Sequence, residues 1–593
     1  MPFAARANPP PPDAARACMA CHGEQGRASR EGYVPRIAGK PAGYLEQQLL
    51  NFRDGRRAHA GMAYLLENQS DAALRALAQH FAAQRPPLGG TAAAAQASRD
   101  GRPADSASLA RLVREGDPAR RLPACAACHG EQLGGVAPGV PGLTGLPADY
   151  LLAQLGAWRE SKRRAREPDC MAQIVQRLRP EELAPLARWL AAQTPAEPQP
   201  ELPGAERLPM DCGALQPAPA APAEPAAPSP LAARGAYLAR LGNCAGCHTA
   251  QGGRAYAGGR AFDTPFGRVM AGNLTPHASG LAGWSTDDFW RALHQGRSRD
   301  GRRLLPVFPY ESFTHISRAD ADALFAHLQT LTPVAQANAP HALRFPFNTQ
   351  AALALWQTLF FRPGTPAAEL PAAERGAYLV KGLGHCAACH APRNALGASQ
   401  GGLGGARMPG GGPFDGWWAP SLHPVRGQVF SEAERLALLR DGVARHGSVS
   451  GPMATVVAQS LQHWQEDDLR AVLRHLQALP PREAPTLPTP LSERGARLYA
   501  QRCADCHGAQ GEGRTGHPRL AGNPTLLEPS VVNLVKLLDH GGFAPATRGN
   551  PLPRGMGPQG LSDEDAAALL THLRGSWGHR GGAVTALDVL KAR

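Results

Sequence analysis

The sequence predicts an all-α chain of five small helical repeats in tandem. Three observations carry this. The pattern Cys-x-x-Cys-His occurs five times in 593 residues, ending at His22, His129, His248, His390 and His507. In four of the five repeats a methionine follows 40 to 63 residues after that histidine, and an amphipathic helix comes next. Shared among five motifs, the chain allows roughly 120 residues each, the size of a small domain.

The spacing explains the chemistry. On a helix, positions i and i+3 share a face, so Cys244 and Cys247 can each form a thioether with one vinyl group of a haem. His248 follows at i+4 and offers its imidazole to the iron. Cys18, Cys21 and His22, Cys125, Cys128 and His129, Cys386, Cys389 and His390, and Cys503, Cys506 and His507 repeat the arrangement. Zinc would need further cysteine pairs, and none exists. A thioredoxin-like pair would not need a histidine after every second cysteine. The expected cofactor is therefore five covalently bound haem c. Aromatic content is only 6%, so thin cores are expected to depend on the haem as their large apolar body, leaving the apo-chain poorly folded.

Taken in order, the first domain is expected over residues 1–90. A loop at Gly23–Gly26 leads to a short amphipathic helix over Tyr44–Leu50. Met62 is the candidate sixth ligand, because a thioether opposite the histidine gives a low-spin iron of raised potential. A terminal helix enters at Ser70-Asp71 with Leu74, Leu77 and Phe81 on one stripe. A small-residue linker spans 92–107. The second domain, 108–195, repeats this plan with a helix at Tyr150–Leu155, candidate ligand Met171, and a stripe of Leu183, Leu186 and Leu190. Residues 196–230 read as an exposed Pro/Ala linker. The third domain is placed at 231–335, a connecting segment at 336–370, the fourth domain at 371–480, the fifth at 491–580 and a tail at 581–593. In the fourth, Met453 is the candidate ligand and Leu469, Leu473 and Leu476 form the stripe. Its glycine-rich stretch Gly401–Gly412 reads as a loop. In the fifth, Met556 is the candidate, and Ser562 caps the terminal helix with Asp565 three residues on.

The first two repeats resemble tandem diheme class I cytochromes. Residues 231 onward resemble the three-haem cytochrome subunits of periplasmic alcohol, gluconate and related dehydrogenases, and the cytochrome partners of molybdenum hydroxylases such as nicotinate dehydrogenase. The matching text includes Arg234-Gly235-Ala236-Tyr237-Leu238, Gly272-Asn273-Leu274-Thr275-Pro276, Phe308-Pro309-Tyr310, Arg344-Phe345-Pro346-Phe347-Asn348, Arg375-Gly376-Ala377-Tyr378-Leu379 and Gly451-Pro452-Met453. The resemblance implies five tandem class I cytochrome c domains, each around one covalent haem c. It implies that electrons come from a dehydrogenase catalytic subunit, closest to a molybdenum hydroxylase, and leave for an oxidase, a soluble cytochrome or a quinone. It also implies a periplasmic protein, peripheral at the inner membrane through its partners. In that family methionine often stands where this chain has Phe308, which cannot ligate iron. The third haem is left with His315, Met270, His294 or an open position. An open iron would support a rival reading, a haem enzyme acting on peroxide or a small sulfur or nitrogen ligand.

Twelve cysteines are present, and Cys170 and Cys212 lie outside the motifs; an oxidising compartment would allow a bridge between them, and the expected reading is two unpaired bystanders. The formal charge of +13 is carried by scattered basic residues, which reads as a protein-docking surface rather than a nucleic-acid site. No acid/base constellation or nucleotide fingerprint is evident, so organic substrate is expected to bind the partner. No signal peptide or membrane-spanning apolar run is seen, and a processed form or an upstream start is expected.

Overall fold

The computed structural model describes residues 13–28, 33–85, 106–198, 208–216, 228–364, 374–400, 411–426, 430–484 and 486–593. The expected loop at Gly401–Gly412 and the linker at 92–107 lie almost wholly outside these residues. Helices dominate. The strands among the described residues are two to four residues long and pair into five small sheets. The chain divides into two compact units. One gathers Met1–Pro222 with His540–Phe543 and Pro551–Gln559, and the other holds Ala223–Asp539, Ala544–Asn550 and Gly560–Arg593.

In the first unit two repeats are built alike. The attachment helix Asp13–His22 is followed by Ala42–Arg53, Ala60–Leu66 and Asp71–Ala83. The last of these starts where Ser70 Oγ accepts the Ala73 N–H at 3.2 Å, satisfying one orphan donor of the first turn. Its stripe of Leu74, Leu77, Ala78 and Phe81 is buried. The second repeat has Ser106–Glu115, Ala126–His129, Ala148–Arg159, Cys170–Arg177 and Pro180–Ala191. Leu183, Leu186 and Leu190 are buried there, and each such leucine contributes about 1.5–3 kcal/mol.

In the second unit three helix pairs set the frame: Pro230–Leu241 on Arg318–Gln329, Arg375–Lys381 on Glu466–Gln477, and Glu493–Arg502 on Asp563–Gly575. Each crossing runs through a glycine. A Cβ on Gly235 would overlap the Ala323 carbonyl oxygen, one on Gly376 that of Ala471, and one on Gly495 that of Ala568. The residue before each glycine is an arginine paired with the facing helix: Arg234–Asp320 at 2.5 Å, Arg375–Asp468 at 2.8 Å and Arg494–Asp565 at 2.6 Å.

Three expectations change. One core runs from Leu238 to Leu473 and serves both the third and fourth repeats, so these are not separate beads. The tail carries a helix, Ala586–Ala592, whose Val589 and Ala592 complete the fifth core. The stretch read as an exposed linker includes residues 208–216, which are stapled down by a Cys170–Cys212 disulfide with Cα atoms 5.1 Å apart. These two cysteines are partners, not bystanders. The bridge is the alternative that the two left-over cysteines offered.

Candidate haem centres

All five motif histidines are held the same way. Nδ1 donates to a backbone carbonyl: His22 to Pro35 at 2.9 Å, His129 to Pro141 at 2.7 Å, His248 to Gly272 at 2.7 Å, His390 to Pro420 at 2.7 Å and His507 to Pro518 at 2.8 Å. A carbonyl only accepts, so the proton sits on Nδ1 and the Nε2 lone pair is left for a metal. Burial pushes every one of these imidazoles below its ordinary pKa, and the carbonyl bond opposes the shift without cancelling it. The rings are thus neutral near pH 7, as a ligand must be. The five acceptors were not legible as a motif, although four are prolines 11 to 30 residues past their histidine. The donor set fits haem: a helical thiol pair beside a neutral, oriented imidazole.

The methionines fall into two classes. Met62, Met171 and Met453 each sit in the first turn of a short helix, Ala60–Leu66, Cys170–Arg177 and Pro452–Gln459. Each of these helices precedes the terminal helix of its repeat. Met62 is fixed by its own N–H, which donates to His59 Nδ1 at 3.2 Å. Met453 packs on the shared core. Met556 instead ends the two-residue strand Gly555–Met556, paired with Gly542–Phe543.

At the third centre the loop holding Phe308 precedes the single-turn helix Tyr310–Phe313, and Phe308 packs on Phe313 with ring centroids 5.4 Å apart. Met270 ends the strand Gly267–Met270, paired across from Ala261. It stands two residues before Gly272, whose carbonyl takes the His248 proton. His294 is buried, stacked on Trp290 at 4.7 Å, and donates Nδ1 to the Thr314 carbonyl at 2.9 Å. His315 is exposed and its ring lies beside Gly364.

The third and fourth repeats clasp each other reciprocally. Tyr237 Oη donates to Asp468 Oδ2 at 2.7 Å and accepts from the Gln465 N–H at 3.0 Å. Tyr378 Oη donates to Asp320 Oδ2 at 2.5 Å and accepts from the Ser317 N–H at 3.1 Å. Each aspartate therefore takes an arginine from its own repeat and a tyrosine from the other. Burial pushes the Tyr378 hydroxyl up to about 12, with Asp320 adding to the shift. The attachment segments meet as well: His385 donates Nε2 to the Gly242 carbonyl at 3.2 Å. The fifth repeat has Arg497 where Tyr237 and Tyr378 stand, and lacks the clasp.

The disulfide adds a second constraint at Met171. Gly213 N–H donates to the Pro168 carbonyl at 2.9 Å, and Arg166 Nε donates to the Gly213 carbonyl at 2.8 Å. Asp169 caps the helix by accepting the Ala172 N–H at 3.0 Å. The segment 208–216 is thus strapped over the turn that carries Met171. Replacing both cysteines (C170A/C212A) is expected to cost about 2–4 kcal/mol of first-unit stability. Differential scanning calorimetry reads the loss, and an unchanged first transition would refute the strap's role.

A sequence model of the cytochrome c family matches residues 120–194, 232–332 and 492–577. A nicotinate dehydrogenase subunit of Pseudomonas putida is 40% identical over 359 residues; the match covers 57% of this chain but only 29% of that longer protein. The cytochrome c subunit of the quinone alcohol dehydrogenase of Gluconobacter oxydans is 35% identical over 390 residues, covering 60% of this chain and 80% of that one. Among solved structures, Acidithiobacillus ferrooxidans cytochrome c4 is 28% identical, over 30% of this chain and 99% of that one, at a TM-score of 0.25.

Proposed function

The chain belongs to the family of multihaem cytochrome c subunits of dehydrogenases, and from that premise we propose that it carries electrons from a partner dehydrogenase, of the molybdenum hydroxylase type, to a respiratory acceptor outside the cytoplasm. The observation that supports this most is the common posture of the five motif histidines, each with Nδ1 tied to a carbonyl and Nε2 free. We assign one haem to each motif, five in all, with Met62, Met171, Met453 and Met556 as sixth ligands. Bound haem iron supplies one-electron exchange. The chain's own residues hold each ring in a set orientation, exclude water with the terminal-helix stripes, and keep the imidazoles unprotonated. The Tyr–Asp clasp fixes the third and fourth centres in one rigid core, which favours direct exchange between them. The comparisons favour this reading over a haem enzyme with an open iron.

At the third centre the position of Met270, two residues from the carbonyl that fixes His248, argues against it, and the burial of His294 favours that residue over the exposed His315. Among the described residues no helix is long and apolar enough to cross a membrane; contact with the inner membrane is assigned to the partners. Low-temperature electron paramagnetic resonance of the oxidised protein tests the proposal. Five low-spin ferric signals are expected, with H294A turning one of them high-spin. A high-spin signal already present in the unaltered protein would break the conductor reading. Failure of the purified partner dehydrogenase and its substrate to reduce the haems would remove the proposed donor.

A further inference from the structure

The fourth repeat is also gripped by the fifth, and the grip falls on the segments that carry its candidate iron ligands. The hairpin of Gly412–Phe414 and Trp417–Ala419 turns through Asp415 and Gly416, both at positive φ, as a tight two-residue turn requires. It ends one residue before Pro420, whose carbonyl takes the His390 proton. Asn533, on the helix Val532–His540 of the fifth repeat, holds Trp418 by both backbone groups. Its Oδ1 accepts the Trp418 N–H at 2.9 Å, and its Nδ2 donates to the Trp418 carbonyl at 2.8 Å. One side chain thus satisfies what a further strand would otherwise have to. The neighbouring Trp417 meets the other ligand segment. A Cβ on Gly451, two residues before Met453, would lie 2.5 Å from the Trp417 indole, so glycine is required there. Trp417 therefore joins the segment that fixes His390 to the segment that presents Met453.

A cation sits over this indole. Lys536 lies three residues past Asn533, on the same helix face. Its Nζ stands 5.3 Å from the Trp417 ring centroid, within cation–π range. It also reaches the turn, where a Cβ on Gly416 would be 3.0 Å from Nζ. Val535 and Leu538 of the same helix are buried in the fifth core, which leaves Asn533 and Lys536 to the fourth repeat. The acids close by in the chain are engaged elsewhere: Glu528 pairs with Arg482 at 2.6 Å and Asp539 with Arg593 at 3.0 Å. Among the described residues no ion pair neutralises Lys536, so its charge is delivered to Trp417 undivided.

We propose that Lys536, seated on Trp417 and aligned by the positioning residue Asn533, raises the reduction potential of the fourth haem, so that the fifth repeat tunes an iron it does not ligate. The proposal rests on the assignment to the fourth motif of a haem with Met453 as its sixth ligand. A haem gains one negative charge on reduction, so a fixed cation nearby favours the reduced state. The indole excludes water between the two ligand segments, and in that drier setting the charge acts with less screening. Raising the fourth potential above the third draws electrons across the shared core towards the fifth repeat.

The test is a redox titration of the five-haem holoprotein followed by electron paramagnetic resonance. Met453→His identifies the fourth haem, because it alters that signal alone. In K536M the fourth signal is expected to titrate lower, by about threefold in the reduced-to-oxidised ratio, or about 28 mV for a one-electron couple. K536R keeps the charge and is expected to hold the parent value. N533A leaves Lys536 in place but frees the hairpin beneath it, and is expected to lower the same potential. A fourth potential unchanged in K536M, a shift that falls on another haem, or a K536R shift as large as that of K536M overturns the proposal. Unaltered signals in M453H would instead overturn the ligand assignment beneath it, and the proposal with it.

Discussion

Gly235→Ala is expected to destabilise the second unit by about 3–5 kcal/mol, and Gly235→Val is expected to prevent assembly. Two effects compete. Alanine improves helix propensity over glycine by about 1 kcal/mol. Its Cβ, however, lands on the Ala323 carbonyl oxygen, a backbone atom in the middle of a facing helix that cannot rotate away. Relief requires the helices Pro230–Leu241 and Arg318–Gln329 to separate. Separation uncovers Leu238, Leu241, Leu324 and Leu328, all within 3% of full burial, and each is worth about 1.5–3 kcal/mol. The clash therefore wins. A domain's whole stability is about 5–15 kcal/mol, so one such change takes a large share of it. Gly376→Ala and Gly495→Ala should behave alike, since their Cβ atoms meet Ala471 and Ala568 in the same way. Thermal melts of the holoprotein and its haem-to-protein ratio read the effect, and a G235A melt matching the parent's would refute the close-crossing account.

How much of this is legible in the sequence depends on how local the signal is. Cys-x-x-Cys-His is a five-residue pattern, and the terminal stripes repeat with helical period, so both can be read from the chain alone. Leu74, Leu77 and Phe81, and Leu183, Leu186 and Leu190, are buried as the period requires; Leu476 is only half-buried because its helix is ending. The rest depends on contacts between distant residues. Nothing local ties Tyr237 to Asp468, 231 positions on, or Tyr378 back to Asp320. The Arg-Gly pair occurs at all three crossings, and its threefold repetition is the available sign. The tyrosine two residues later separates the two clasping repeats from the fifth. The terminal helix Ala586–Ala592 escapes notice because seven residues show little period and its burial depends on a core built by other segments.

The clasp carries the second large effect. Asp468→Ala leaves the Tyr237 hydroxyl without its acceptor and the Arg375 guanidinium without both of its bonds, at 2.8 and 2.9 Å. Breaking a fully buried pair costs about 3–5 kcal/mol. Asp468 is 10% exposed at its side chain but Arg375 is 32% exposed and can still reach water, so about 2–3 kcal/mol is the better expectation. Burial alone would raise the Asp468 pKa; Arg375 and Tyr237 outweigh it and hold the carboxyl below its ordinary value. The clasp's contribution is therefore complete above the ordinary carboxylate range and is lost as the pH falls through the lowered folded value. Parent and D468A stabilities should converge in acid. Y237F should cost about 1–2 kcal/mol, because it removes two hydrogen bonds, the one to Asp468 and the one from the Gln465 N–H, and leaves the ion pair. The functional consequence is separable from stability. The clasp holds two attachment segments in one core, so Y237F/Y378F should slow electron exchange between the third and fourth haems more than it lowers the melting temperature. Flash photolysis of the partly reduced protein measures that exchange. An unchanged rate in the double variant would mean that the shared core alone sets the spacing and the tyrosines only add stability.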